Sequence, residues 1–305
     1  MSKLVGGPFK TALEVSEQRK QQFRISTGSA KLDDILGGGI ESQNLTEAYG
    51  EYRSGKTQLS HTLSVSCQVE KPGYTPGKAL FMDTENTFRP ERLKQIARRF
   101  NLDEESVLEN VTVARCYTTD HQIELLGRSA WLPLLLSSRA LSLASRVSLL
   151  MLCPLTPSLT RTDAPADYVA GKFNDERGVY RLWVIDSVMA LFRVDFSGRG
   201  ELAERQQRLG QFLARVSRIA EEFNVAVFMT NQMTADPGNG MSFQADPKKP
   251  IGGNILGHAS TVRIYLRKGK GNDRLAKVVD APDLPEKETV FGLSEGGVGE
   301  AVSES

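Results

Sequence analysis

GEYRSGKT, Gly50 to Thr57, decides the reading of this 305-residue chain. Two glycines with four residues between them, followed by Lys-Thr, satisfy the spacing of a phosphate-binding loop. The apolar run Leu45 to Tyr49 precedes it and Gln58-Leu59 opens a helical pattern, so the strand–loop–helix context is complete. In such a loop the backbone N–H groups turn inward around phosphate oxygens, and the helix N-terminus adds its partial positive charge. Gly50, Glu51, Tyr52, Arg53, Ser54, Gly55 and Gln58 are therefore expected around the phosphates of ATP. Lys56 reaches the β- and γ-phosphates, and the Thr57 hydroxyl ligates Mg²⁺.

A nucleotide loop needs carboxylates at the ends of neighbouring strands. Leu182-Trp183-Val184-Ile185-Asp186 offers four apolar residues and then an acid, so Asp186 is expected to hold the metal through water. Asp83-Thr84-Glu85 ends the run 79–82 and supplies a general base to orient the attacking water. Glu85 is the first choice, and Asp83 competes with it from a position that suits a structural turn.

Further from the loop, short apolar runs recur at 111–114, 182–185 and 225–230, with helical patterns between most of them. Buried runs alternating with helices argue for an α/β fold with a mostly parallel central sheet flanked by helices. From 202 to 223 apolar residues fall at 202, 209, 212, 213, 216, 219, 220 and 223, the spacing of an amphipathic helix. After residue 260 the pattern alternates strictly: Val262, Ile264 and Leu266 inward, with Arg263, Tyr265 and Arg267 on a face expected to be solvated. Antiparallel strands at 275–279 and 290–293 extend the sheet on its C-terminal side. Residues 1–24 read as a polar linker with one short helix over 12–20, and 25–305 as the core.

Composition excludes several classes. Thirty-eight Lys+Arg against 37 Asp+Glu leave a net charge of +1, so any nucleic-acid surface must be local. Cys67, Cys116 and Cys153 are odd in number and far apart, which argues against a disulfide scaffold or a cysteine-built zinc site. The opening MSKLVGGPFK has no apolar core of signal-peptide length, and a reducing compartment is expected.

Long stretches carry a resemblance. GEYRSGKTQLSHTL (50–63), DTENTFRPERL (83–93), FRVDFSGRGELAERQQ (192–207), TNQMTADPG (230–238), FQADPKKPIGGN (243–254) and HAST (258–261) resemble the eukaryotic RecA/RadA-type strand-exchange recombinases. ENTF and NQMTADPG are similar to the meiosis-specific branch. The resemblance implies a RecA-like ATPase core, filaments on single-stranded DNA, pairing with homologous double-stranded DNA, mediator proteins as partners, and a nuclear location. It further implies that Gln232 senses the γ-phosphate and that Arg92 lies against the adenine. Two DNA loops follow from it, one with Arg193 and Arg199, the other with Phe243, Lys248 and Lys249. Phe9 and Ala12 match the family's Phe-x-x-Ala polymerisation motif, while His258, Asp280 and Pro282 match residues that reach a neighbouring subunit's ATP.

Two features depart from the family pattern. The resemblance begins within the linker, without the family's N-terminal helical DNA-binding domain. Residues 127–166 are Leu/Ser/Arg-rich and acid-free until Asp163, and they split HQIELL (121–126) from DYVAGKF (167–173), which should read as one helix. A translated non-coding stretch, an extra surface helix and a membrane anchor are the three readings. Arg139 and Arg146 weigh against the anchor, since each costs about 2.5 kcal/mol or more near a bilayer centre. The expected activity is DNA-dependent ATP hydrolysis coupled to strand exchange in meiotic recombination and double-strand break repair. An ATP-binding filament component or adaptor without full exchange activity is the alternative, and a ring helicase stands behind it.

Overall fold

The structure, a computed structural model, describes residues 10–127, 168–198, 200–235 and 248–301. Helix α1 (Ala12–Arg19) starts at a capping box, in which the Thr11 hydroxyl accepts from the Glu14 N–H and the Glu14 carboxylate accepts from the Thr11 N–H. The short pair β1 (Arg24–Ile25) and β2 (Ile40–Glu41) brackets α2 (Ala30–Ile35). Strand β3 (Leu45–Gly50) feeds α3 (Lys56–Ser66); β4 (Lys78–Asp83) feeds α4 (Pro90–Arg99) and α5 (Glu104–Glu109); β5 (Val111–Arg115) feeds α6 (Thr119–Glu124). Next come α7 (Val169–Asp175), β6 (Tyr180–Asp186), α8 (Ala190–Asp195), α9 (Leu202–Phe223) and β7 (Ala226–Asn231). The small antiparallel pair β8 (Met233–Ala235) and β9 (Lys248–Pro250) precedes α10 (Gly253–Ala259). Strands β10 (Val262–Lys268), β11 (Asp273–Asp280), β12 (Glu288–Ser294) and β13 (Gly297–Glu300) complete the described chain.

Nine strands form one sheet in the order β13-β12-β11-β10-β3-β7-β6-β4-β5. The strands from β10 to β5 run parallel, and β11 to β13 add antiparallel to the other side. Every apolar run read from the sequence is a strand here. Both faces are covered, which is why β3, β6 and β7 are buried almost throughout. One core unites Leu59, Leu63, Leu93 and Ile96 from α3 and α4 with Ala48, Phe81 and Phe228 of the sheet. The other sets Leu209, Phe212, Leu213 and Val216 of α9 against Trp183, Ile185 and Val227. Each such side chain contributes roughly 1.5–3 kcal/mol by burial.

Three expectations need correction. Leu202 is 55% exposed at the first turn of α9, so the apolar stripe begins at Leu209. Arg263 and Tyr265 of β10 are half-buried rather than solvated, because Arg263 pairs with Glu47 and lies beside Gly257 of α10 while Tyr265 stacks on Tyr49; of the three, only Arg267 is exposed. The flanks of the split segment form two helices, α6 (Thr119–Glu124) and α7 (Val169–Asp175), instead of one. Their ends nevertheless meet: the Val169 N–H donates to the Leu125 carbonyl at 2.8 Å, and a Cβ on Gly127 would lie 3.4 Å from that of Tyr168. Residues 128–167, including the readings made of that stretch, lie outside the described residues.

Trp183 is the bulkiest side chain of β6. It is fully buried edge-on to Phe173 at 5.9 Å, and its indole N–H has no partner among the described residues. Such an orphan donor costs on the order of 1–3 kcal/mol, against a large apolar burial.

Candidate nucleotide-binding site

Parallel strands point their C-terminal ends the same way, and that shared end gathers the site. The loop after β3 turns at Arg53 (φ 62°) and Gly55 (φ 100°), left-handed backbone that favours glycine at the second position. Gly55 is also the N-cap of α3, and no side chain caps that helix, so its first N–H groups stay available for an anion. Gly50 permits the close approach to β10: a Cβ there would fall 2.0 Å from the Leu266 carbonyl oxygen. Arg274 of β11 braces the loop from outside, donating through Nε to the Arg53 carbonyl at 3.1 Å. Tyr52 is 85% exposed at the loop tip.

Lys56 Nζ folds back onto the loop, donating to the Gly50 and Glu51 carbonyls at 2.8 Å each. Burial pushes its ammonium below the ordinary value, while the carboxylates of Asp186 and Glu85 pull it back up. Asp186 ends β6 and is 4% exposed. Burial raises its carboxyl to about 6; hydrogen bonding from Thr230 and Thr57 opposes that rise, and the nearby acids Glu85 and Asp83 add to it. Thr230 Oγ1 donates to Oδ1 at 2.5 Å, whereas Oδ2 is buried without a hydrogen-bond partner. A buried carboxylate oxygen left open beside a threonine hydroxyl fits a hard, oxygen-seeking cation such as Mg²⁺.

Asp83 and Glu85 are separated by their surroundings. Asp83 is buried and spends its acceptors on the N–H groups of Glu85, Thr87 and Phe88 and on Arg115 Nη1 at 2.8 Å. Glu85 is exposed, and its Oε1 accepts from Gln232 Nε2 at 2.6 Å and from Ser187 Oγ at 2.7 Å. Gln232 stands directly after β7, the strand between β3 and β6, and directly before β8. It is the root of the β8–β9 pair. His61 of α3 ties the two halves together: Nδ1 bonds the Thr57 carbonyl at 2.7 Å, and Nε2 accepts from the Arg89 N–H at 3.1 Å. Burial lowers its pKa.

Arg92 lies on α4, with Nε donating to Gln58 Oε1 at 2.8 Å and Nη1 to the Glu295 carbonyl at 2.6 Å. It thus borders the first turn of α3. His258, Asp280 and Pro282 are exposed and stand apart from the loop. Leu266 of β10 pairs with Gly50, but Arg263, three residues earlier, pairs with Glu47 and with Asp280. Asp280 and Pro282 are therefore at the other end of the strands, and α10 carries His258 toward that same end before Thr261 bonds Leu45. Arg193 is exposed on α8 and Lys249 on β9. Phe9, Arg199 and Phe243 lie outside the described residues, as does the side chain of Lys248; Ala12 begins α1.

The sequence reading missed Thr230, Ser187, His61, Glu47, Asn231 and Arg263. Glu47, an acid inside an otherwise apolar strand run, was the one visible signal among them.

Fold and site together define a RecA-like P-loop core with antiparallel strands added beyond β10. The Rad51 family model matches residues 18–145 and 166–301. A mouse protein (Mus musculus), "Meiotic recombination protein DMC1/LIM15 homolog", is 54% identical over 301 residues, spanning 98% of this chain and 77% of its own length. The human protein of the same name gives the same figures, and the DMC1 homolog of Lilium longiflorum is 50% identical over 98% of this chain and 74% of its own. The chain belongs to the Rad51 family of recombinases, on its meiosis-specific side. No helix among the described residues is long and apolar enough to cross a membrane.

Proposed function

We propose that the chain is an ATP-driven strand-exchange recombinase that polymerises on single-stranded DNA in the nucleus and pairs it with a homologous duplex during meiotic recombination and break repair. One observation carries this reading. Glu85, which faces the phosphate loop, is hydrogen-bonded to Gln232, and Gln232 is the root of the β8–β9 hairpin. A change at the γ-phosphate therefore has a short polar path to the loop that would hold DNA.

In the hydrolytic step Glu85 takes a proton from water as the water oxygen bonds the γ-phosphorus and the β–γ bridging bond breaks. Asp83 is left to shape the turn, since its oxygens are already engaged. Lys56 leaves the Gly50 and Glu51 carbonyls for the β- and γ-phosphate oxygens, and Gln232 reports their presence. Thr57, and Asp186 through water, would hold Mg²⁺, which would supply charge neutralisation at the phosphates. Arg92 borders the adenine through Gln58. His258, Asp280 and Pro282, at the far end of the strands, face the nucleotide of an adjoining subunit, with Phe9 and Ala12 as the polymerisation contact. Each ATP then sits between two protomers, and mediator proteins are expected to load the filament. Arg193, Arg199, Lys248 and Lys249 neutralise DNA phosphates, and Phe243 wedges between bases.

The test compares ATP hydrolysis with and without single-stranded DNA, and joint-molecule formation, in the intact chain and in Lys56→Ala and Gln232→Ala. DNA stimulation is expected in the intact chain and lost in both variants. Hydrolysis indifferent to DNA, with no joint molecules, refutes the reading. Electron microscopy separates filaments from closed rings.

A further inference from the structure

A diagonal of polar side chains crosses three strands, β10, β3 and β7, on one face of the sheet. Glu47, in the middle of β3, is fully buried. Its Oε2 accepts from Arg263 Nε of β10 at 2.7 Å, and its Oε1 from Asn231 Nδ2 of β7 at 2.8 Å. Asn231, also fully buried, donates through the same nitrogen to the Ile251 carbonyl at 2.7 Å, and its Oδ1 accepts from the Gln232 N–H at 2.8 Å. The Ile251 N–H in turn donates to the Gln232 carbonyl at 3.0 Å. At the other end, the Arg263 guanidinium lies over Tyr49 at 5.2 Å and against α10, where a Cβ on Gly257 would come within 3.3 Å of Nη1. Gly257 immediately precedes His258.

We infer that Arg263, Glu47 and Asn231 are positioning residues, a buried strut joining the helix that carries His258 to Gln232 and, through Gln232, to Glu85. A buried ion pair across strands is a poor source of stability, because desolvation offsets the attraction; apolar residues would fill the same space at less cost. Here every acceptor of the pair is aimed. Asn231 is pinned by three bonds, two to side chains or carbonyls of other segments and one to the backbone of Gln232. That backbone is fixed from both its N–H and its carbonyl, and its side chain reaches Glu85. A shift of α10 at its exposed end moves Gly257 against Arg263, which is tied to the fully buried Glu47. The strut thus couples the end of the molecule bearing His258 to the hydrolytic end. The inference rests on the recombinase reading for what His258 meets, an adjoining subunit's nucleotide.

The test uses the full chain with ATP, Mg²⁺ and a single-stranded oligonucleotide. Glu47→Gln combined with Arg263→Met removes both charges, keeps an acceptor for Asn231 and cuts the link to α10. Neutral replacement of a buried pair preserves folding, which a thermal melt checks. The expected result is a DNA-stimulated kcat lowered about tenfold or more, with KM for ATP within about twofold of the parent. His258→Ala should cost the same activity in the parent and almost nothing in the double variant, the signature of two changes on one path. Arg263→Lys, which keeps the charge, should retain most of the stimulated rate. A stimulated kcat within about twofold of the parent overturns the inference. So does a parallel fall in kcat and ATP affinity, or losses for His258→Ala that multiply independently. A parent chain without DNA-stimulated hydrolysis overturns the recombinase reading itself, and this inference with it.

Discussion

Asp186→Asn should make the nucleotide-free protein more stable while abolishing its hydrolysis. The carboxyl is 4% exposed, with the Thr230 hydroxyl on Oδ1 and no hydrogen-bond partner on Oδ2. Burial therefore raises its pKa from 3.8 to about 6. The sign follows from proton linkage. Between those two values the folded protein keeps a proton that the unfolded chain has released, so wild-type stability falls as pH rises through that interval. The gap corresponds to about 3 kcal/mol, fully present below pH 3.8 and lost above about pH 6. Asparagine retains the acceptor for Thr230 and carries no charge, so it does not share this loss.

The measurement is urea unfolding, in chelator and without nucleotide, followed through the fluorescence of Trp183, which is buried three residues before Asp186. The stability of Asp186→Asn minus that of wild type should grow by about 3 kcal/mol between roughly pH 4 and pH 7.5. Other carboxylates titrate in this range, but they do so in both proteins and cancel in the difference. Placing an amide nitrogen at the Oδ2 position lowers the variant's stability by the same amount at both pH values, so the slope is the secure quantity. A pH-independent difference, or one that shrinks as pH rises, refutes the reasoning. Adding Mg·ATP should reverse the order, since only the carboxylate can serve the metal.

Glu85→Gln should lower the hydrolysis rate about 100-fold or more while nucleotide-dependent DNA binding persists, read by phosphate release beside a filter-binding assay. Asp83→Asn, by contrast, should act on stability, because Arg115 loses its buried partner; a melt lower by several degrees with a rate still measurable distinguishes the two acids. Gly50→Ala should give little soluble protein, since its Cβ would meet backbone of β10 at 2.0 Å, and an undiminished yield would refute that packing. Joining Gly127 to Tyr168 directly should preserve the fold and raise stability by about 1–2 kcal/mol, because fewer residues then separate ends that already meet, measured by urea unfolding.

What the sequence revealed and what it hid divide along a physical line. The loop at 50–57 and the strand-end acid Asp186 are local patterns: a run of apolar residues, then a residue type that chemistry demands at the end of it. Parallel strands were legible for the same reason, since burial on both faces leaves Val, Ile, Leu and Phe in unbroken runs. The face of β10 was misread because alternation reports only that one side is less apolar. Arg263 and Tyr265 look identical on a solvated face and under a helix that arrives from residues 253–259. Neither Glu47 nor Asn231 announces a partner, because their bonds join segments 184 positions apart in the chain.

The same distinction explains why Asp83 and Glu85 could not be separated by spacing. Both carboxylates stand at the C-terminal end of β4, two residues apart. The choice between them is made by Arg115, from the edge strand β5, which draws Asp83 into an ion pair, and by three N–H groups of the following turn that close over its oxygens. That engagement turns the chain so that Glu85 emerges exposed, against Gln232 and Ser187. A base must keep an oxygen able to accept from water, and only the second acid has one. The catalytic assignment thus depends on an arginine thirty residues downstream whose own sequence context, Val-Ala-Arg-Cys, carries no functional mark.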